Sequence, residues 1–248
     1  MLTNNYDVAL QWAKELYGSP NFMDFWFPRH HFIEAERGES WMTASRADKD
    51  KCYAMAIGAE SRVNMNLNHF SISRFADLNQ IDLEQFKFDD GWVAYVIETA
   101  KYSQLAPLEK IDSPHLWDEI NNFLDVNFTD ASTRAGNPEV LAWTILRDDR
   151  DGIIAVGALS QWESGNLAAN SIGVASSLRG QGIGKLFVER MIATAYSMGF
   201  DSLCLGVYDN NIAGIRLYES IGFTKVEEFF HYSEKDDLQK RRNRPVKD

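Results

Sequence analysis

One stretch constrains this chain more than any other: Leu178-Arg179-Gly180-Gln181-Gly182-Ile183-Gly184, which joins a short apolar alternating run to a strongly amphipathic helix. Glycine at 180, 182 and 184 removes the Cβ atoms that would hold a ligand away from the backbone, and glycine tolerates the φ/ψ of a tight turn. Several backbone N–H groups can then converge on one point. That point lies at the start of a helix, where unpaired donors and the positive end of the macrodipole favour an anion. The stretch reads as a pyrophosphate cradle.

Spacing narrows the kind of cradle. A P-loop requires G-x-x-x-x-G-K-[ST], but Arg179 stands five positions before Gly184, and Lys185 is followed by Leu186, which has no hydroxyl for Mg²⁺. A dinucleotide fingerprint requires G-x-G-x-x-G, whereas these glycines are evenly spaced. What the stretch does match is R-x-x-G-x-G after a strand, and it resembles motif A of the GNAT superfamily of N-acetyltransferases. Further on, Asn211-Ile212-Ala213-Gly214-Ile215-Arg216-Leu217-Tyr218-Glu219-Ser220-Ile221-Gly222-Phe223 resembles that family's second signature, N-x-x-A-x-x-L-Y-E-x-x-G-F, with Gly214 where Ala is usual. The signatures follow in the family's order, separated by one helix and one strand.

The resemblance covers roughly residues 92–230. It implies an α/β fold, α+β in arrangement, with a mixed sheet whose two central strands splay apart to admit the cofactor, here acetyl-CoA. Ser171–Val174 would lie on one splayed strand and Leu203–Val207 on the other. The pantetheine arm would pair with the first strand, placing Ile172 and Val174 at the cofactor, with the N–H near Val174 polarising the thioester carbonyl. The amides of Arg179, Gly180, Gln181, Gly182, Ile183 and Gly184 would hold the pyrophosphate, and Lys185 and Asn211 would also touch the cofactor. Tyr218 is the expected general acid for the departing thiolate. The base is less determined, because the strand before the glycine loop carries Asn170 where many relatives have glutamate. Glu163 is the nearest carboxylate; Glu98, a water relayed through Ser171, and bulk water are the alternatives.

Elements around the cradle follow from pattern. Trp92–Ile97 reads as a strand, Pro114–Leu124 as a helix capped by Ser113, and Val140–Leu146 and Ile153–Leu159 as strands joined by the turn Asp148–Gly152. Leu167–Val174 is the strand entering the glycine loop. Ile183, Phe187, Met191 and Ala195 recur every four residues, giving the next helix a buried stripe that Gly199 ends. Thr224–Tyr232 is the last strand.

The N-terminal part carries no nameable motif. Residues 6–17 read as an amphipathic helix stopped by Gly18-Ser19-Pro20, and Tyr53–Gly58 as a strand. In Val63–Asn68 each apolar residue is followed by asparagine, which predicts a strand with Asn64, Asn66 and Asn68 on its polar face and His69 as a surface residue beyond it. Residues 71–88 read as a helix or an irregular connector. Adjacent His30 and His31 cannot face one way and have no ligand-spaced partner, so no metal site is expected. The resulting division is residues 1–89 as an accessory region (an accessory domain, a degenerate acetyltransferase-like lobe or a dimerisation element), 90–232 as the acetyltransferase domain, and 233–248 as a charged tail.

Composition excludes several classes. The net charge of −11 argues against nucleic-acid binding, and no apolar run reaches the length of a membrane span. Two cysteines, Cys52 and Cys204, and a start without the basic flank of a signal peptide lead to an expectation of a cytoplasmic protein. Its expected partner is a small-molecule or peptide amine, with a homodimer left open. A non-catalytic acyl-CoA-binding regulator is the alternative to the enzyme.

Overall fold

The computed structural model describes residues 1–18, 23, 27–48, 51–63, 67–111, 113–131, 133–161 and 165–235. The chain begins with β1 (Leu2–Thr3), α1 (Tyr6–Tyr17), β2 (Phe32–Arg37), β3 (Met42–Asp48), β4 (Lys51–Ile57), β5 (His69–Ser73), β6 (Phe86–Phe88) and β7 (Trp92–Glu98). It continues with β8 (Glu109–Ile111), α2 (Trp117–Asn127), β9 (Val140–Arg147), β10 (Ile153–Gln161), β11 (Leu167–Val174), α3 (Ile183–Ser197), β12 (Ser202–Tyr208), α4 (Ile212–Ile221) and β13 (Thr224–Glu234). It divides into two compact units. The first contains Met1–Val93, Val207–Asn211 and the chain from Val226, and the second contains Ala94–Gly206 and Ile212–Lys225.

The first unit is a sheet in the order β1-β2-β3-β4-β5-β13, with β6 also paired to β13. Its neighbours are antiparallel except β4 and β5, which run parallel with Tyr53 opposite His69 and Ala56 opposite Ile72. Helix α1 starts where Asn5 Oδ1 accepts the N–H groups of Asp7 (2.9 Å) and Val8 (3.3 Å), and it stops at Gly18, whose φ of 77° no branched residue would adopt easily. The core gathers Phe70, Ile72, Phe86 and Tyr232, with the Phe70 and Tyr232 rings stacked 5.0 Å apart.

The strand expected over Val63–Asn68 is displaced. Asn64 and Asn66 lie outside the described residues, and Val63, Leu67 and Asn68 are not in a strand; pairing starts at His69. Asn68 is a tie rather than a polar wall: its Oδ1 accepts the Cys52 N–H at 2.9 Å and its amide donates to Glu234 at 2.9 Å. His69 is 2% exposed, not a surface residue, and stacks between Tyr53 (5.1 Å) and His231 (5.8 Å). Within 71–88 the irregular connector is what forms: β5 ends at Ser73, turns and one 3₁₀ turn at Leu78–Gln80 follow, and β6 starts at Phe86.

The second unit orders its strands β7-β12-β11-β10-β9-β8. Strands β8 to β11 are successively antiparallel, and β11 and β12 are parallel. On one face α2 packs through Ile120, Phe123 and Leu124 against Trp143, Ile145, Val156 and Ala158. Residue 157 points the other way, as strand alternation requires, and there α3 brings Phe187 and Met191 onto the sheet. The helix expected from Pro114 begins as a 3₁₀ turn, Pro114–Leu116, and becomes α-helical only at Trp117. Ser113 does not cap it, because its hydroxyl is bonded to the His115 ring.

Both units thus use one sequence of elements: a short strand, a helix, three strands, then a fifth strand parallel to the fourth. They differ at the fourth-to-fifth connection. In the second unit it is the glycine loop and α3; in the first it is residues 58–68, which hold no helix among those described. Replacing Asn5 by Ala should lower stability by about 1 kcal/mol through loss of the α1 cap, read as a lower urea midpoint. An unchanged midpoint would show that the cap contributes nothing to folding of this unit.

Candidate functional site

The site begins with a break in pairing. β11 and β12 are matched only at Leu167 with Leu203 and Ala168 with Cys204, so β11 beyond Ala168 has no strand on that side among the described residues. The cause lies on its other edge. There Val156 faces Gly173 and Ala158 faces Asn170, leaving Gly157 opposite both Ser171 and Ile172, a β-bulge that bends and twists the strand. Ser171 adopts φ 49°, a left-handed conformation uncommon for a residue with a Cβ. Gly157 leaves no room for a side chain, since a Cβ would stand 2.6 Å from Met191 Cε, and its carbonyl is satisfied by the Thr144 hydroxyl at 2.9 Å. Ile172 and Val174, both half-buried, lie on the released segment.

At the end of β11 the chain turns into the glycine loop. Gly180 (φ 75°) and Gly182 (φ 84°) both need the left-handed region, and a Cβ on either would project into open space. Gly182 is the N-cap of α3 and no side chain caps the helix, so the N–H groups of its first turn remain open to an anion. Exposed Gln181 folds back to the Ser177 carbonyl (3.1 Å), half-buried Ile183 opens the helix, and Lys185 pairs only loosely with Glu189 at 4.0 Å. Exposed Arg179 turns back on the chain. Its guanidinium donates to the Val174 carbonyl (3.3 Å) and to the Asn127 carbonyl, bracing the loop against β11 and the end of α2.

Gly184 ties the cradle to α4. A Cβ there would lie 3.5 Å from Leu217 and 3.7 Å from Val174, so the β11 end, the α3 start and the residue before Tyr218 meet at this point. Tyr218 is buried, and its hydroxyl has no hydrogen-bond partner among the described residues. Burial pushes that hydroxyl up to about 12. The remainder of the second signature holds the ring. Gly222 (φ 97°) ends α4 by donating to the Tyr218 and Glu219 carbonyls, which turns Phe223 edge-on to the Tyr218 ring at 5.6 Å. Tyr95 donates to Glu219 at 3.0 Å and places its own ring beside Tyr218, with centroids 6.4 Å apart.

Other expected residues fare differently. Glu163 lies outside the described residues. Glu98 is exposed at the end of β7. Asn170 donates to the Ser160 hydroxyl at 3.2 Å. Asn211 falls in the Val207–Asn211 segment of the first unit, its N–H on the Tyr208 carbonyl at 3.0 Å. Ser171 is not placed to relay a water, because its hydroxyl accepts the Thr133 N–H (2.9 Å) and donates to the Thr133 carbonyl (3.0 Å). That pair and the Gly157 contact escaped the sequence reading: a lone serine and a lone glycine in strands carry no pattern.

Residues 102–223 match the family model described as "Acetyltransferase (GNAT) family". This part of the chain is therefore a GNAT-family acetyltransferase domain. Solved structures with the same fold include a GCN5-related N-acetyltransferase from Kribbella flavida (15% identity, 81% of this chain and 89% of that chain, TM-score 0.55). Another is a GNAT-family acetyltransferase from Colwellia psychrerythraea, at 14% identity over 95% of this chain and 99% of that one, TM-score 0.53. A third, from Sphaerobacter thermophilus, has 13% identity, 78% and 76% coverage and a TM-score of 0.52. No curated protein matches the chain. The mixed α/β fold is thus that of GNAT acetyltransferases, and the Colwellia match extends well beyond residues 102–223. No helix among the described residues is long and apolar enough to cross a membrane.

Burial of Tyr218 has a sign that can be measured. The folded protein holds the phenolic proton more tightly than the unfolded chain, whose tyrosines ionise near 10, so this stabilisation is complete below about pH 10 and is lost as pH rises through about 12. The difference in urea midpoint between wild type and Tyr218→Phe should stay constant from about pH 7 to 9.5 and then move in favour of the Phe variant. A difference that stays constant to about pH 11, or that moves in favour of the wild type, would mean that the hydroxyl is not shifted upward.

Proposed function

We propose that the second unit transfers an acetyl group from acetyl-CoA to a primary amine of a small molecule or peptide, by direct attack within a ternary complex. The observation that carries this reading is the junction at Gly184, where the end of β11 that has no strand on its β12 side among the described residues, the uncapped start of α3 and the helix bearing Tyr218 come together. Acetyl-CoA, when bound, supplies the acetyl group as a thioester. The amides of residues 179–184 hold its pyrophosphate, and the edge of β11 at Ile172 and Val174, open on the β12 side among the described residues, pairs with its pantetheine arm. The Val174 N–H stabilises charge on the carbonyl oxygen in the transition state.

Tyr218 has a narrower task than full acid catalysis. A phenol at about 12 is a weaker acid than an ordinary thiol near 8.5, so complete transfer of its proton to a thiolate is uphill. Its O–H instead serves as a fixed hydrogen-bond donor to the sulfur as the carbon–sulfur bond breaks, in surroundings where water does not compete. The amine loses its proton as the carbon–nitrogen bond forms. Glu163 is the proposed acceptor of that proton, and the departing thiolate is reprotonated from solvent.

The first unit is proposed to be a second lobe of the same topology that has lost its cradle. Its parallel pair stays matched from Tyr53 to Ala56 instead of splaying, and residues 58–68 supply no helix N-terminus among those described. One acetyl-CoA per chain follows. A cytoplasmic location and the absence of a nucleic-acid partner accord with the net charge of −11. A non-catalytic acyl-CoA binder is the competing reading, favoured by Asn170, whose amide packs on Ser160 where a base could stand.

Calorimetric titration with acetyl-CoA should show one site per chain, lost in Gly182→Trp, which fills the cradle. Two sites, or undiminished binding by that variant, would overturn the assignment. Thiol release in the presence of an amine panel separates the enzyme from the binder. Tyr218→Phe should then lower kcat about a hundredfold while leaving the KM for acetyl-CoA within about threefold; an unchanged kcat would remove Tyr218 from the chemistry.

A further inference from the structure

The bulge in β11 is held from outside the sheet. Ser171 makes two hydrogen bonds to a single residue: its hydroxyl accepts the Thr133 N–H at 2.9 Å and donates to the Thr133 carbonyl at 3.0 Å. Thr133 belongs to the connection between α2 and β9, which is itself fastened to α2. Asn121 brackets Ala135, accepting its N–H at 3.0 Å and donating to its carbonyl at 3.2 Å, and Arg134 pairs with Asp125 at 2.7 Å while donating to the Thr129 carbonyl. The same helix end reaches the strand's exit, where Asn127 Oδ1 accepts the Ser176 N–H at 2.9 Å and the Asn127 carbonyl accepts from Arg179. Phe128 closes the interval, lying where a Cβ on Gly173 would be 3.4 Å away. The strand segment whose edge is released from β12 is therefore framed at Ser171, Gly173 and Ser176 by one continuous piece of chain.

We propose that Ser171 is a positioning residue: its hydroxyl locks the α2–β9 connection to the bulge and so fixes the free edge of β11 that presents Val174. A left-handed residue with a Cβ is disfavoured, so it persists where surrounding contacts over-determine it. The two-point hydroxyl contact is such a contact. Without it Ser171 can relax toward extended geometry, the bulge can shift, and the Val174 N–H leaves the place where charge develops. Displacements of this size cost rate far more than ground-state affinity. The catalytic part of this inference rests on the acetyltransfer reading, whereas the mechanical part does not.

The test uses the full-length protein and measures both. Amide hydrogen exchange, without any ligand, is followed in wild type, Ser171→Ala and Ser171→Gly over residues 128–135 and 170–176, alongside kcat and KM for acetyl-CoA. Ser171→Ala should raise exchange at least about tenfold in both segments together, with kcat lowered about 10- to 100-fold and KM within about threefold. Ser171→Gly relieves the strain yet lacks the hydroxyl, so it should show the same coupled loss. Increased exchange confined to 128–135, or no increase in either segment, would overturn the lock. If the wild type releases no thiol with any amine, the acetyltransfer reading fails while exchange still decides the lock. If exchange couples but kcat is unchanged, the positioning role is refuted.

Discussion

Pairing between β11 and β12 ends after Ala168 and Cys204, and the arrangement of the second unit depends on that separation. Two parallel strands that stayed paired would satisfy each other's backbone groups and leave nothing for a ligand to bind. The bulge opposite Gly157 diverts β11, and Gly157 lacks a side chain because Met191, Phe187 and Ile172 already fill the space. The diverted strand then delivers the chain to Gly180 and Gly182, whose positive φ values turn it into the start of α3, where no side chain caps the helix. Remove the bulge and the glycine loop would still exist, but the edge leading to it would be closed.

The two units make the same point by contrast. The first has the same order and sense of strands, yet its parallel pair remains matched across four residues from Tyr53 to Ala56 and its fourth-to-fifth connection carries no glycine loop. Its interior is occupied by stacked rings such as Phe70 on Tyr232 and His69 on His231. A shared topology therefore does not confer a shared site; the site lies in a bulge, a loop and a buried phenol grafted onto one of two similar frames.

What could be read from the sequence was whatever had a local cause. Helix α1 is stopped by its own Gly18, β11 and α3 flank the glycine loop, and Tyr218 to Phe223 carry a spacing that the structure explains through Gly222 and the Phe223 ring. Features with distant causes were hidden. The alternation of Val63–Asn68 imitates a strand, while the real one begins at His69 and is buried on both faces, which erases the period-two signal. β8 spans only Glu109–Ile111, too short for any pattern. Arg179 belongs to the glycine signature, but its guanidinium is spent on two backbone carbonyls, and Ser171 becomes informative only once Thr133 is seen beside it. These residues act through partners far away in the chain, which periodicity cannot register.

The most direct measurement is a crystal structure of the protein with coenzyme A. The expected result is one molecule per chain, its pyrophosphate on the amides of residues 179–184 and its pantetheine arm running along the open edge of β11 at Ile172 and Val174. Coenzyme A bound on the first unit, or bound to the second with its pyrophosphate away from the glycine loop, would contradict the assignment of the cradle and of the edge beside it.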